Sequence, residues 1–288
     1  MTLTHDGGAL VAAAGDRVAV LDVRQLETAA GDPVLGYIPE GSRSGAFDVA
    51  TSLDDRFLFT TDERAARVTV ANLAAARARP FNGDVIVGHV PQGGDPTGIA
   101  LSPDGRWLYV TDEIAPAGVA FTGRCIEESG SGVRYPEGAL VVIDVDRATH
   151  GSASAIAATA PAGCNPVRVA LSPNGKVAWV AARGDNALLS FDTSRGIVLI
   201  SKTAVGAAPV GVAVRPDGSQ VWVANSNRFA KASAASLSKI DPTRKTVVNT
   251  LASGPFPRDV RFLADGKTLV VAVFGGRTVR FEPTGIRR

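Results

Sequence analysis

Six copies of one hairpin pattern, spaced 43 to 70 residues apart, constrain this chain more than any other feature. The clearest copy is "SPDGRWLYVTDE" (Ser102–Glu113), and it is matched by "SPNGKVAWVAAR" from Ser172 and "RPDGSQVWVANS" from Arg215. The aligned turn positions are Gly7, Asp55, Gly105, Gly175, Gly218 and Gly266. A period of roughly 40 to 50 residues is typical of propeller blades, so the repeat indicates a fold class before any local pattern is considered.

Each full copy contains four short apolar segments. In the third copy these are "PTGIALS", "RWLYVTD", "ALVVIDV" and "AIAATAPA". Asp-Gly between two apolar runs predicts a β-hairpin, because glycine adopts a positive φ without steric cost. A four-stranded antiparallel unit buries its faces only by stacking on its neighbours. The repeat therefore predicts an all-β chain, a β-propeller of four-stranded antiparallel blades with six blade motifs in a single domain over residues 1–288.

Two recurring side chains are predicted to be structural. An aspartate ends the third strand of four copies and should accept hydrogen bonds from the following turn. These residues are Asp22, Asp144, Asp192 and Asp241. Trp179 and Trp222 align with Tyr109, and a large aromatic side chain at this position should pack between blades.

The first and last copies are shorter than the others. The first lacks most of its innermost strand, and the last ends after "TVRFEP" without a fourth strand. Two explanations stay open: a six-bladed ring that closes imperfectly, or a start that has lost an export signal and about one blade. We favour the second.

Charge and hydropathy exclude some classes of partner. Lys and Arg number 30 against 28 Asp and Glu, and the signs are interspersed. A nucleic-acid surface would concentrate basic residues, so we expect no nucleic-acid partner. No apolar run approaches the roughly 18 residues that span a bilayer, so we also expect no membrane span.

The motif "LYVTD" (Leu108–Asp112) resembles the signature of the YVTN-repeat family of β-propellers, and "WVAN" (Trp222–Asn225) is a looser copy. "P-x-G-[IV]-A" at Pro96 and Pro209 and the "VIDV" strand are similar to the same family, which includes the YncE-like proteins and overlaps in fold with lactonase-like propellers. The resemblance covers essentially the whole chain and implies a fold that is usually seven-bladed and often exported. It implies no common chemistry.

Insertions and cysteines fall at one end of the blades. The third copy carries a rim insertion over residues 114–137, and the fifth has a shorter one in "SNRFAKASAAS". Cys125 lies in the first insertion and Cys164 in the loop that enters the fourth blade, which brings them to the same end of adjacent blades. A disulfide is the favoured interpretation, with two free thiols as the alternative. The disulfide favours a periplasmic or extracellular location. If Met1 is the true start, the expected location is the cytoplasm.

Polar residues at second-strand ends and first-strand starts are the candidate binding residues at the rim or channel mouth. They are Asp62, Glu63, Asp112, Glu113, Arg168, Arg183, Asn225 and Asp259. Their oxygen ligands would suit Ca²⁺ or Mg²⁺, with the two "TDE" copies as the best candidates. The alternative is that the carboxylates pair with Arg168 and Arg183 or face solvent. His5, His89 and His150 are too scattered for a histidine-based metal centre or a Ser-His-Asp arrangement.

Two functions remain from the sequence. The first is a non-catalytic, exported binding or scaffold propeller whose partner, a protein, peptide or envelope polymer, docks on the rim that carries the insertions. The alternative is a lactonase-like hydrolase or lyase that uses carboxylates and a divalent metal at the central channel. The sequence does not decide whether the chain is an enzyme.

Overall fold

Six antiparallel sheets follow one another along the chain in the computed structural model, and they are the blades of the predicted β-propeller. The structure describes residues 1–29, 31–78, 81, 83–121, 125, 134–227 and 235–284. These fall into two compact units, one of residues 1–118 with 141–159 and the other of residues 119–140 with 160–288. Five sheets have four strands, and the sixth has three among the described residues.

The first three blades contain strands β1 to β12. Blade 1 consists of β1 (Thr2–Leu3), β2 (Ala9–Ala13), β3 (Arg17–Asp22) and β4 (Val34–Pro39). Blade 2 consists of β5 (Ala46–Thr51), β6 (Phe57–Asp62), β7 (Arg67–Asn72) and β8 (Ile86–Pro91). Blade 3 consists of β9 (Pro96–Leu101), β10 (Trp107–Asp112), β11 (Glu137–Asp144) and β12 (Ile156–Cys164). The two-residue β1 is the predicted stub of an innermost strand.

The last three blades contain strands β13 to β23. Blade 4 consists of β13 (Pro166–Leu171), β14 (Val177–Ala182), β15 (Ala187–Asp192) and β16 (Val198–Ala204). Blade 5 consists of β17 (Pro209–Val214), β18 (Val221–Asn225), β19 (Ser236–Asp241) and β20 (Thr246–Ala252). Blade 6 consists of β21 (Pro257–Phe262), β22 (Thr268–Val273) and β23 (Thr278–Pro283).

The hairpin turns between first and second strands have the backbone that the repeat predicts. All six aligned turn residues have a positive φ, between 55° and 74°. Asp55 is the one residue of the six that is not glycine, and its carboxylate accepts the backbone N–H groups of His5 and Asp6 at 2.8 and 2.9 Å. The side chain thereby links the turn of blade 1 to the turn of blade 2.

The aspartates that end the third strands cap the backbone that follows, as predicted. Asp22 accepts the N–H of Gln25 at 3.0 Å, and Asp144 accepts that of Arg147 at 3.1 Å. Asp192 and Asp241 accept equivalent N–H groups two or three residues onward. The short helices α1 (Val23–Thr28), α2 (Leu73–Arg77) and α3 (Val145–Thr149) follow the third strands of blades 1 to 3, with Asn72 as the cap of α2, and the repeat pattern did not predict them. Segments of five or six residues are too short to show a helical period.

Substitution of one such cap should have a small, measurable cost. We expect Asp144→Ala to lower the free energy of unfolding by about 1 kcal/mol, because the N–H of Arg147 loses its acceptor. Chemical denaturation measures the difference. Asp146→Ala is the matched control, since the Asp146 side chain is 88% exposed and its contact with His150 is a surface pair. Equal losses in the two variants would contradict the capping role.

The tryptophans pack between consecutive blades of the second unit. Trp179 of blade 4 is 2% exposed and lies in a cluster with Val212 and Val223 of blade 5. Trp222 of blade 5 lies in the next cluster, against Val260 and Leu269 of blade 6. The predicted role of these two side chains is confirmed, and Tyr109 at the same position of blade 3 is also buried.

One backbone hydrogen bond recurs where the second strand of a blade ends. The N–H of the residue that follows the second strand donates to the carbonyl just before the first strand. The five bonds are Glu63 to Gly45, Glu113 to Asp95, Arg183 to Asn165, Ser226 to Ala208 and Phe274 to Phe256, at 2.8 to 3.1 Å. This end, called the loop end of the blade from here on, therefore brings together the two loops that the repeat predicted would emerge side by side.

Candidate functional site

The predicted disulfide between Cys125 and Cys164 is present, with Cα atoms 5.5 Å apart. Both cysteines are 6% exposed, and both belong to the second unit. Residues 122–124 and 126–133 of the blade-3 insertion and residues 228–234 of the blade-5 insertion lie outside the described residues. The bond ties the insertion to the loop end of blade 4.

Further contacts fix the chain on both sides of the disulfide. Tyr135 packs against Gly184, where a Cβ atom would lie 2.6 Å from the ring. The guanidinium of Arg183 lies 5.9 Å from the centroid of the same ring, within the range of a cation–π contact. The carbonyl of Pro136 accepts the N–H of Asn165 at 2.8 Å. Residues 134–136, 163–165 and 183–186 are called the braced loops from here on.

Asp185 connects the braced loops to the outer strand of blade 4. Its carboxylate accepts the backbone N–H of Cys164 and a bond from Lys202 Nζ, each at 2.7 Å. Gly163 has a φ of +76°, and a Cβ atom there would lie 2.2 Å from Asp185 Oδ2. Only glycine accommodates both the backbone conformation and the carboxylate.

A second constellation, in the first unit, surrounds Asp62 at the end of β6. Thr69 Oγ1 donates to Asp62 Oδ2 at 2.5 Å, and Arg67 Nε donates to the same oxygen at 3.2 Å. His89 Nδ1 lies 3.0 Å from Thr69 Oγ1. Glu40, which follows blade 1, accepts from Thr60 at 3.2 Å.

Burial governs the titration of this constellation. Glu40 is 2% exposed, and burial together with the nearby charge of Asp62 raises its pKa to about 7. Burial also raises the pKa of Asp62, although Thr69 and Arg67 oppose the change. The pKa of His89 is lowered by burial and by Arg67. Perturbed groups of this kind are typical of functional sites, but these carboxylates have almost no access to solvent.

Asp112 ends β10 and is fully buried, yet both of its carboxylate oxygens lack a hydrogen-bond partner among the described residues. Burial, with a smaller contribution from Asp95, raises its pKa to about 8. Burial raises the pKa of Asp95 as well. Asp112 Oδ2 faces Gly94, 3.2 Å from the position that a Cβ atom would take.

The other candidate residues are distributed among the loop ends. Asn225 is 1% exposed and donates from Nδ2 to the hydroxyls of Ser236 and Ser238, while its Oδ1 has no partner in the described part of the chain. Asp259 pairs with Arg261 at 3.5 Å. The half-buried residues at these ends are Glu63, Glu113, Arg168 and Arg183.

The expectation that Asp62 and Asp112 pair with Arg168 and Arg183 or face solvent is wrong. Both carboxylates are 0% exposed, and Asp62 pairs with Arg67 of the adjacent strand instead. In both blades the second-strand end pairs with the start of the first strand. Glu40 and His89 were missed because they belong to outer-strand segments that the repeat does not mark as polar.

The described residues contain neither a cluster of metal-binding side chains nor a membrane-spanning helix. None of their His, Cys, Asp and Glu side chains form a group of three or more that could hold a metal ion. No helix within the same residues is long and apolar enough to cross a membrane.

The six repeated blades and their polar loop ends define the class of this chain as a β-propeller. No family model matches it, and no curated protein matches it. Among solved structures, it is similar to a "putative 6-phosphogluconolactonase" from Bacteroides uniformis, with a TM-score of 0.69, 16% identity, and coverage of 98% of this chain and 79% of that chain. A functionally unknown protein from Desulfotomaculum acetoxidans has a TM-score of 0.67, 17% identity and coverage of 92% and 72%.

Hydrazine synthase from Kuenenia stuttgartiensis is similar at a TM-score of 0.56 and 16% identity, with coverage of 99% of this chain and 94% of that chain. At these identities the likeness shows the fold alone, because unrelated functions share the same architecture.

Proposed function

We propose that this chain is a non-catalytic binding propeller whose partner, a protein or peptide, docks on the braced loops. The observation that carries the proposal is the disulfide between Cys125 and Cys164, which fixes an insertion on the loop end of blade 4. Loops held on a rigid scaffold are where binding residues concentrate, and a pre-ordered surface loses less entropy when a partner binds.

The side chains of this surface indicate an acidic partner. Arg134 is exposed, Tyr135 and Arg183 are half-buried, and the 55% exposed side chain of Lys202 pairs with Asp185. Tyrosine and arginine dominate the binding energy of many protein interfaces, and the positive charges of Arg134 and Arg183 complement carboxylates. An anionic envelope polymer is the other partner that this chemistry allows.

The proposal also includes the location of this chain in the cell and the family to which it belongs. Export to the periplasm or the cell exterior is supported by the disulfide, since such bonds persist in oxidising compartments. A place among the YVTN-repeat, YncE-like propellers is supported by "LYVTD" and "WVAN", which lie on the second strands of blades 3 and 5.

A phage-displayed library of random peptides, selected on the immobilised wild-type chain, tests the binding proposal. We expect acidic peptides to be enriched. Tyr135→Ala and Arg183→Ala should each weaken the binding of those peptides by roughly tenfold, the loss expected of an interface residue worth about 1.4 kcal/mol. Titration of a synthetic copy of each peptide measures the affinity.

Arg244→Ala is the matched control, because Arg244 is an exposed arginine after the third strand of blade 5, away from that blade's loop end. Its affinity for the peptides should equal that of the wild type. A selection without enriched peptides, or peptides that bind all four proteins equally, would refute docking on the braced loops.

The lactonase-like alternative is motivated by Asp112, a buried carboxyl group without a hydrogen-bond donor in the described part of the chain. The constellation of Glu40, Asp62 and His89 is less suited to turnover, because Thr60, Thr69 and Arg67 already donate hydrogen bonds to its two carboxylates. Hydrolysis of 6-phosphogluconolactone by the wild type that is lost in Asp112→Ala would favour the alternative over the binding proposal.

A further inference from the structure

The carboxylate of Asp112 differs from its counterparts in blades 2 and 5. Asp62, Asp112 and Asn225 occupy the same register, each opposite the first residue of its blade's first strand. Asp62 receives bonds from Thr69 and Arg67, and Asn225 contacts Ser236 and Ser238. Asp112 has no such bond within the described part of the chain.

The third strand of blade 3 explains the difference. Counted back from the capping residue at the strand end, Arg67 and Thr69 of blade 2 correspond to Ser236 and Ser238 of blade 5. The corresponding residues of blade 3 are Ala139 and Val141, both fully buried. Blade 3 therefore offers carbon atoms where the other two blades offer hydrogen-bond donors.

A buried carboxylate without donors is costly, and a bound cation would satisfy it. The immediate surroundings supply further oxygen atoms. The carbonyl oxygen of Ile114 lies 2.1 Å from the position of a Cβ atom on Gly94, and Asp112 Oδ2 lies 3.2 Å from the same position. The absence of a side chain on Gly94 therefore lets both oxygens lie close to its backbone, and Asp95 is the next residue.

We propose that blade 3 binds a Ca²⁺ ion at its loop end, with Asp112, Asp95 and the carbonyl of Ile114 as protein ligands. Carboxylate and backbone carbonyl oxygens are the donors that Ca²⁺ takes, and its flexible coordination accepts a site completed by water. Mg²⁺ requires a stricter octahedral arrangement, and Zn²⁺ favours nitrogen and sulfur ligands. The site is independent of the proposed docking on the braced loops.

Calorimetric titration of the chelator-treated wild-type chain with CaCl₂, MgCl₂ and ZnCl₂ tests the site. We expect one equivalent of Ca²⁺ to bind, more tightly than Mg²⁺ or Zn²⁺. At a hundredfold excess over its Kd, Ca²⁺ should raise Tm by roughly 5 °C, the shift expected for a ligand that binds only the folded state of a domain of this size.

Asp112→Asn should abolish Ca²⁺ binding and the shift in Tm. Asp104→Asn, the same charge change in the hairpin turn at the other end of blade 3, should retain both. If Asp112→Asn does not fold, Asp95→Asn replaces it, with an expected loss of at least tenfold in Ca²⁺ affinity. A wild-type chain that binds no Ca²⁺, that prefers Mg²⁺ or Zn²⁺, or whose Asp112→Asn variant binds Ca²⁺ unchanged would overturn the proposal.

Discussion

Reduction of the disulfide between Cys125 and Cys164 is expected to lower the free energy of unfolding by about 4 kcal/mol. The two cysteines are 39 residues apart, and a cross-link over that distance removes much of the freedom of the unfolded chain. The folded chain would in addition hold Tyr135 less firmly against Gly184. Urea denaturation followed by tryptophan fluorescence, with and without a reductant, measures the change.

The double variant Cys125→Ser/Cys164→Ser is the control for this experiment. Its unfolding midpoint should match that of the reduced wild type and should not respond to the reductant. An unchanged wild-type midpoint after complete reduction, verified by thiol titration, would show that the bond does not stabilise the fold.

The second large effect is a dependence of stability on pH that comes from Glu40. Burial and Asp62 raise the pKa of Glu40 from 4.5 to about 7 in the folded chain. Between these two pH values the folded state holds a proton that the unfolded state has released, so stability falls as the pH rises. We expect the wild type to lose about 3 kcal/mol relative to Glu40→Gln across this window.

Below pH 4.5 the carboxyl group is protonated in both states, and above about pH 7 it is ionised in both, so the difference levels off at each end. Glutamine resembles the protonated acid, and it keeps an acceptor for Thr60. The charged groups that act on Glu40 and remain in the variant are Asp62 and Arg67. Chemical denaturation of both proteins at a series of pH values gives the difference directly.

Glu27→Gln serves as the control, because Glu27 is exposed on α1. Its stability should follow that of the wild type at every pH. Parallel curves for wild type and Glu40→Gln would contradict the raised pKa of Glu40 in the folded chain.

Much of the fold follows from local sequence. The six turn residues could be aligned because each hairpin needs a positive φ at the same point, and the structure has one at all six. The caps at Asp22, Asp144, Asp192 and Asp241 are equally local, since each acts within three residues of its own position. The disulfide could be inferred because both cysteines fall in loops at the same end of adjacent blades.

The candidate site was predicted less completely. The sequence indicated which strand ends carry polar side chains, but not which of them are covered. Glu40 contacts Thr60 from the preceding blade, and His89 contacts Thr69 from the adjacent strand. Such contacts depend on how strands and blades pack, so they cannot be predicted from the spacing of residues in the sequence.

The two "TDE" copies illustrate the difference between features that follow from the sequence repeat and features that follow from the packing of the strands. The sequence by itself determined that Asp62 and Asp112 occupy equivalent positions, because the hairpin repeat sets their register. Only the tertiary structure decided that Asp62 is held by Thr69 and Arg67 while Asp112 has no donor among the residues that the structure describes. The state of a buried carboxylate depends on the atoms that replace water around it, and those atoms belong to other strands.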